Sequence, residues 1–315
     1  FPVAVPRPVF ADFEAASGTG VLITERVAFG QGAIEPLHEK CMDHLLPDPL
    51  EYYRVLVSAQ ARLAAAQHRG ALSPQLEALF PYDRVAAEAD LPIGYGPDEL
   101  REKVATLGAF LSSHPQLFPE VLTDDAFPAR LEADALAILE HEETVRRFLQ
   151  ADPRFVAVCH WNTNIDNAWF WRETDGTLHC GLLDWGMVRP MNVATGLWGG
   201  LSASPTAFIV KELDGLLDHY RRELAAHGGP ELPADLIALH FDLSLTLTGL
   251  SMMMDLPALI GARLPEIRAA TGPFDPLLRQ DKVVEGFLLV ATNFLTLWAS
   301  REFGRSLQRM LAMSS

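Results

Sequence analysis

The chain has 315 residues, 49% of them hydrophobic, enough for one large domain or two lobes and too apolar for a disordered segment. Its 41 acids against 25 bases leave a formal charge of −16, and its four lysines, Lys40, Lys103, Lys211 and Lys282, lie in no basic run. Nucleic acid and anionic membrane surfaces both select clustered Lys and Arg, so neither is expected as a partner.

Cys41, Cys159 and Cys180 are too few and too scattered for a disulfide framework, which points to a reducing, cytoplasmic setting. The chain opens on "FPVAVPRPVF", with no initiator Met and no charged-then-apolar signal segment, and its first residue is expected to be a processing or ordering boundary. In chain order, "GVLITERVAF" (20–29) is β-branched and follows the turn signal "SGTG", so it predicts a strand. "PDPLEYYRVLVSAQARLAAAQHRG" predicts a helix with Asp48 as N-cap, Pro49 at its first position and Gly70 after its end. "GPDELREKVATLGAFLSSH" and "ARLEADALAILEHEETVRRFLQADP" predict two more. The texture then changes: "RFVAVCH" reads as a short strand, "WNTNIDN" as a loop, "AWFWRE" as a strand, "TDG" as a turn and "TLHCGLLDWG" as a strand. From about residue 205 the pattern is helical again, broken at "GGPELP" and "TGPFDP", with four helices expected. The apolar run "GFLLVATNFLTLWA" is the length of a buried helix and short of the ~20 residues of a membrane span.

The stretch "CHWNTNIDN" (159–167) carries one His, three Asn and one Asp within eight residues, side chains that compete with the backbone for hydrogen bonds and disfavour regular structure. Followed by a hairpin and a strand ending Asp-Trp-Gly, it resembles the aminoglycoside-phosphotransferase-like branch of the protein-kinase-like fold. That family's catalytic loop reads H-G-D-x-x-x-x-N, and its metal strand ends in I-D-W or D-x-G. His160 and Asn167 stand at that seven-residue separation, and "LLDWG" sets Asp184 and Gly186 downstream.

The resemblance spans roughly residues 20–200 and implies an α+β, protein-kinase-like fold. It implies a mostly helical C-lobe (31–315) with the catalytic-type loop at 160–167 and the metal-type strand at 178–186, after an N-lobe remnant and hinge strand (1–30). It further implies ATP and Mg²⁺ as cofactors and a small-molecule hydroxyl as acceptor. Asn167 and Asp184 are then the oxygen ligands of the metal, His160 orients the loop, and the backbone of Glu25, Arg26 and Val27 in "VLITERV" meets the adenine.

Two departures stand out. The family's catalytic Asp is here Asn162, an amide that cannot accept a proton at neutral pH. Three readings stay open: Asn162 orients the acceptor in a slow enzyme, Asp166 moves in as base, or the protein binds nucleotide or another ligand without transfer. The family's Gly-rich loop and phosphate-gripping lysine also lie upstream of the hinge, where this chain offers about twenty residues and no lysine. That lobe is expected either to precede this chain in the natural protein or to have degenerated.

Other constellations have plainer explanations. Cys159-His160 and His179-Cys180 do not make a zinc set, because strand neighbours point to opposite faces. "HEKCMDH" (38–44) reads as a solvated approach to the following helix, and "SMMMD" (251–255) as adaptable core packing or, if it faces the cleft, an apolar substrate surface. "GLWGGLSAS" lacks the G-x-S-x-G form of a hydrolase elbow.

Overall fold

The computed structural model describes residues 1–314. It is of mixed α+β class, predominantly helical, with three separate two-stranded sheets. Strands β1 (Pro8–Glu14) and β2 (Thr19–Thr24) form an antiparallel hairpin whose residues are all exposed, Val9, Phe13 and Leu22 by more than 60%. The strand expected over 20–29 stops at Thr24. Its last bond runs from Glu25 N–H to the Arg7 carbonyl, and Pro6 and Pro8 have no N–H to extend the ladder.

The helical body begins with α1 (Pro49–His68), α2 (Pro74–Leu79), α3 (Arg84–Glu88), α4 (Pro97–Ser113), α5 (Glu120–Thr123), α6 (Phe127–Glu140) and α7 (Glu142–Ala151). The single helix expected over 129–153 is two, because His141 leaves helical geometry at φ −108. Beyond that break the Glu142 carboxylate accepts from Ile93 N–H and from Arg146, tying α7 to the chain before α4. Pro49 opens α1 as expected, but Asp48 makes no side-chain capping bond there.

Strands β3 (Val156–His160), β4 (Ala168–Arg172), β5 (Leu178–Leu182) and β6 (Val188–Asn192) follow, β3 pairing with β6 and β4 with β5, both antiparallel. The strand expected to reach Gly186 ends at Leu182, since Asp184 turns into the left-handed region at φ +52, ψ +64. The chain closes with α8 (Val193–Leu201), α9 (Thr206–Ala226), α10 (Ala234–Met252), α11 (Leu256–Arg263), α12 (Lys282–Arg301) and α13 (Phe303–Ser314). Among the described residues, five helices thus follow residue 205, one more than the sequence pattern predicts.

Helix α1 is the axis of the core. Its Ala59, Ala61, Ala64 and Ala65 are fully buried, and small side chains let α8, α9, β3 and β5 approach it closely. Met253 and Met254 lie in this core, which supports the packing reading of "SMMMD". The run "GFLLVATNFLTLWA" belongs to the 20-residue α12, which is long and apolar enough to cross a membrane, as the bent pair α10 and α11 would be if taken together. Of the apolar window in α12, 61% is buried inside the protein, the habit of a core helix.

The glycines of α8 set the polar loop in place. A Cβ on Gly196 would stand 2.7 Å from Cys159 Cβ, and one on Gly199 would stand 1.9 Å from the Trp161 carbonyl oxygen. Only bare backbone allows α8 to lie this close under residues 159–163. Gly199→Ala is therefore expected to push the loop away, destabilising the protein by about 1–3 kcal/mol. Denaturant unfolding checks this, and an unchanged midpoint would contradict the packing argument.

Candidate active site

Two hydrogen bonds bring the loop and the end of β5 together. Leu183 N–H donates to the Asn167 carbonyl at 2.7 Å, and His160 Nε2–H donates to the Leu183 carbonyl at 2.7 Å. The residue before Asp184 is thus gripped from both sides, which sets Asp184 beside Asn167. His160 is fully buried, and burial lowers its pKa, so the ring is neutral and its proton sits on the nitrogen that donates. The Trp185 ring meets it edge-on, 4.7 Å between centroids.

Asn162 is engaged at both ends of its amide. Its Nδ2 donates to Asp184 Oδ2 at 3.1 Å, and its Oδ1 accepts from Asn164 Nδ2 at 2.8 Å. Asn167 Nδ2 donates to the Asn162 carbonyl at 2.9 Å, which leaves Asn167 Oδ1 as the end of the amide that could take a cation. An amide oxygen and an exposed carboxylate, both hard, suit Mg²⁺, which commonly takes one or two protein carboxylates and completes its shell with phosphate and water. Among the described residues no cluster of three or more His, Cys, Asp or Glu forms a metal cage, and all three cysteines are free and buried.

Asp166 lies in the short turn between Asn164 and Asn167. One of its oxygens, Oδ1, is buried with no hydrogen-bond partner. Burial raises the pKa of this carboxyl; the charge of Lys40 works against the shift and that of Asp184 adds to it. The structure therefore brings His160, Asn162, Asp166, Asn167 and Asp184 together. Glu25 is engaged elsewhere, its carboxylate paired with Arg7 at the foot of the β1–β2 hairpin. Arg26 is exposed and Val27 half-buried in the irregular chain after β2.

The segment 38–44 is not the solvated approach that its composition suggests. Cys41 and Asp43 are buried, at 6% and 3% exposure, and Cys41 adopts the left-handed φ of +63. The Tyr53 hydroxyl of α1 donates to Asp43 Oδ2, and that anchorage draws the segment inward. Burial raises the Asp43 pKa to about 7; the Tyr53 hydrogen bond opposes the shift, the charge of Asp166 adds to it, and Lys40 opposes it. Asp43, Lys40 and Tyr53 are neighbours of the site that sequence reasoning missed, since nothing in the linear pattern links residue 43 to residue 53 or to residue 166.

No protein-family model matches the chain, and no curated protein matches it. The geometry of these side chains carries the functional reading.

A carboxyl whose pKa rises on folding keeps its proton in the folded chain over a range in which the unfolded chain has lost it. The contribution of Asp43 to stability is therefore highest below its ordinary value of 3.8, falls as pH rises towards 7, and is constant above that. Relative to Asp43→Asn, which preserves an acceptor for Tyr53, the wild type should lose up to about 1.4 kcal/mol per pH unit across this window. Parallel stability profiles for the two proteins between pH 4 and 8 would contradict this placement of the charge.

Proposed function

We propose that the protein is a phosphotransferase of protein-kinase-like architecture that moves a phosphoryl group from ATP to the hydroxyl of a small molecule. The observation that carries this reading is the pairing of Asn167 and Asp184, two oxygen ligands on separate segments held together by the bonds to Leu183, beside an unpartnered acid oxygen on Asp166. The order of elements supports it: polar loop, β4–β5 hairpin, Asp184, then β6 returning to pair with β3. Mg²⁺ with ATP, when bound, supplies the transferable phosphoryl group and neutralises its charge.

In this reading Asn167 Oδ1 and the Asp184 carboxylate hold the cation. His160, buried and neutral, is a positioning residue that fixes the backbone before Asp184. Asn162 is a second one, steering the Asp184 carboxylate by its amide hydrogen bond. Asp166 is the base: its raised pKa and unpartnered oxygen fit it to accept the proton of the acceptor hydroxyl as the oxygen bonds to phosphorus and ADP leaves. The backbone of residues 25–27, leaving β2, is the stretch that meets the adenine. The amide at position 162 favours one competitor, a protein that binds nucleotide without transferring phosphate.

Asp166→Asn should lower ATP-dependent phosphorylation of a panel of alcohols and sugars by ~10²–10⁴-fold, the usual contribution of a positioned base. Asn162→Asp should also lower it, because it replaces a donor with a second negative charge about 3 Å from Asp184. Unchanged transfer in Asp166→Asn would overturn the role given to this residue. Nucleotide binding by the wild type with no transfer to any acceptor would decide for the competitor.

A further inference from the structure

Behind the segment 41–44 lies a cavity of about 820 Å³, within the range of small-molecule sites. Its walls are mostly apolar, from Leu288 and Leu289 of α12, Phe118 before α5, Val210 of α9 and Phe274 of the loop before α12. Three of the polar side chains on these walls are already engaged. Thr292 Oγ1 donates to the Leu288 carbonyl and Thr296 Oγ1 to the Thr292 carbonyl, both at 2.7 Å, and Gln116 Nε2 donates to the Ala270 carbonyl at 3.0 Å. At the rim Arg279 pairs with Glu39 at 2.7 Å and lies 3.8 Å from Glu285, which itself pairs with Lys282 at 2.9 Å. Among the described residues, both cations at this rim, Arg279 and Lys282, are thus ion-paired rather than free to select a carboxylate or a phosphate.

One wall of the cavity is the segment that leads towards the candidate active site: Cys41, Met42 and His44 line it, while the carboxylate of Asp43 between them turns to Tyr53. Tyr53 belongs to α1, the helix that packs on the turn carrying Asp166. The charge of Asp166 acts on both Cys41 and Asp43. Asp43 Oδ1 and Asp166 Oδ1 are buried acceptors without a donor, and His44 Nδ1, on a ring stacked 3.9 Å from that of Phe274, is a buried nitrogen without a partner.

We infer that this cavity holds the body of the phosphate acceptor, and that the acceptor is a neutral alcohol with a largely hydrocarbon frame, its hydroxyl directed past the wall formed by residues 41–44 towards Asp43 and Asp166. The inference rests on the phosphotransferase reading for the fate of the hydroxyl, whereas the cavity's preference for an uncharged apolar ligand rests on its walls alone. A charged or sugar-like acceptor would lose water on entering and find no free partners along most of the cavity.

Calorimetric titration of the intact chain with 1-hexanol, 1-octanol and 1-decanol, in the absence of nucleotide, tests this. Affinity should rise about fourfold per methylene, as hydrocarbon burial requires. Ala207→Trp, at an exposed rim position of α9, should weaken octanol binding at least tenfold with an unchanged unfolding temperature, and Val210→Asp, on the half-exposed rim, should do the same by placing a charge at the mouth. Absence of binding, affinity independent of chain length, or binding that survives both substitutions would overturn the inference. Chain-length-dependent binding with no ATP-dependent phosphorylation of the alcohols would count against the phosphotransferase reading and leave the cavity's ligand standing. Phosphorylation of a polyol by a protein that ignores the alcohols would do the reverse.

Discussion

The bond from His160 Nε2–H to the Leu183 carbonyl is the constraint on which the site depends. It crosses from the end of β3 to the end of β5, and it works because the ring is buried and neutral. A protonated imidazole could not be accommodated cheaply at zero exposure with its second nitrogen, Nδ1, lacking a partner. With Leu183 held from the other side by Asn167, the backbone reaches Asp184 with its direction fixed, and the left-handed φ there turns the carboxylate out of the strand. Asp tolerates that conformation better than most residues. Sparsely populated backbone at such a position is the kind of local cost that persists when the surroundings over-determine it.

Behind the loop, α8 supplies the floor and α1 the support. The glycines at 196 and 199 remove the Cβ atoms that would collide with Cys159 and Trp161, and Gln60 of α1 reaches the same layer beneath Gly200. Asn192 starts α8 by accepting from Ala194 N–H while its Nδ2 donates to the Leu149 carbonyl, so the helix is tied to α7 at the point where it begins. His240 stacks on Phe155 at 3.8 Å and meets Asn192 Nδ2 at 2.9 Å, and burial pushes its pKa down to about 4. The polar loop is therefore held by a neutral, largely buried scaffold.

The local signals of the sequence were legible where chemistry is local. The hairpin between Ala168 and Leu182, the start of α1 at Pro49 and the polar loop at 161–167 follow from turn residues, a proline and competing side chains. The juxtaposition of His160, Asn167 and Asp184 follows from the hairpin that separates them. What was not legible depends on partners distant in sequence. Strand β6 exists only because β3 is there to pair with it, α7 starts apart from α6 where Glu142 meets Ile93 N–H, and Asp43 is buried because Tyr53 waits on α1. The polar composition of "HEKCMDH" pointed outward, and a single buried hydroxyl reversed it.

Asn167 and Asp184 are the proposed oxygen ligands of a metal–nucleotide complex, and calorimetric titration with ATP tests that pair most directly. The wild type should bind ATP more tightly with Mg²⁺ than with the metal chelated, and Asp184→Ala should erase the difference; the lost carboxylate is exposed and bears no core packing, so the cost to folding is confined to the left-handed backbone at this position and the hydrogen bond from Asn162. Equal affinity for ATP with and without Mg²⁺ in the wild type, or a metal dependence that survives in Asp184→Ala, would contradict the account.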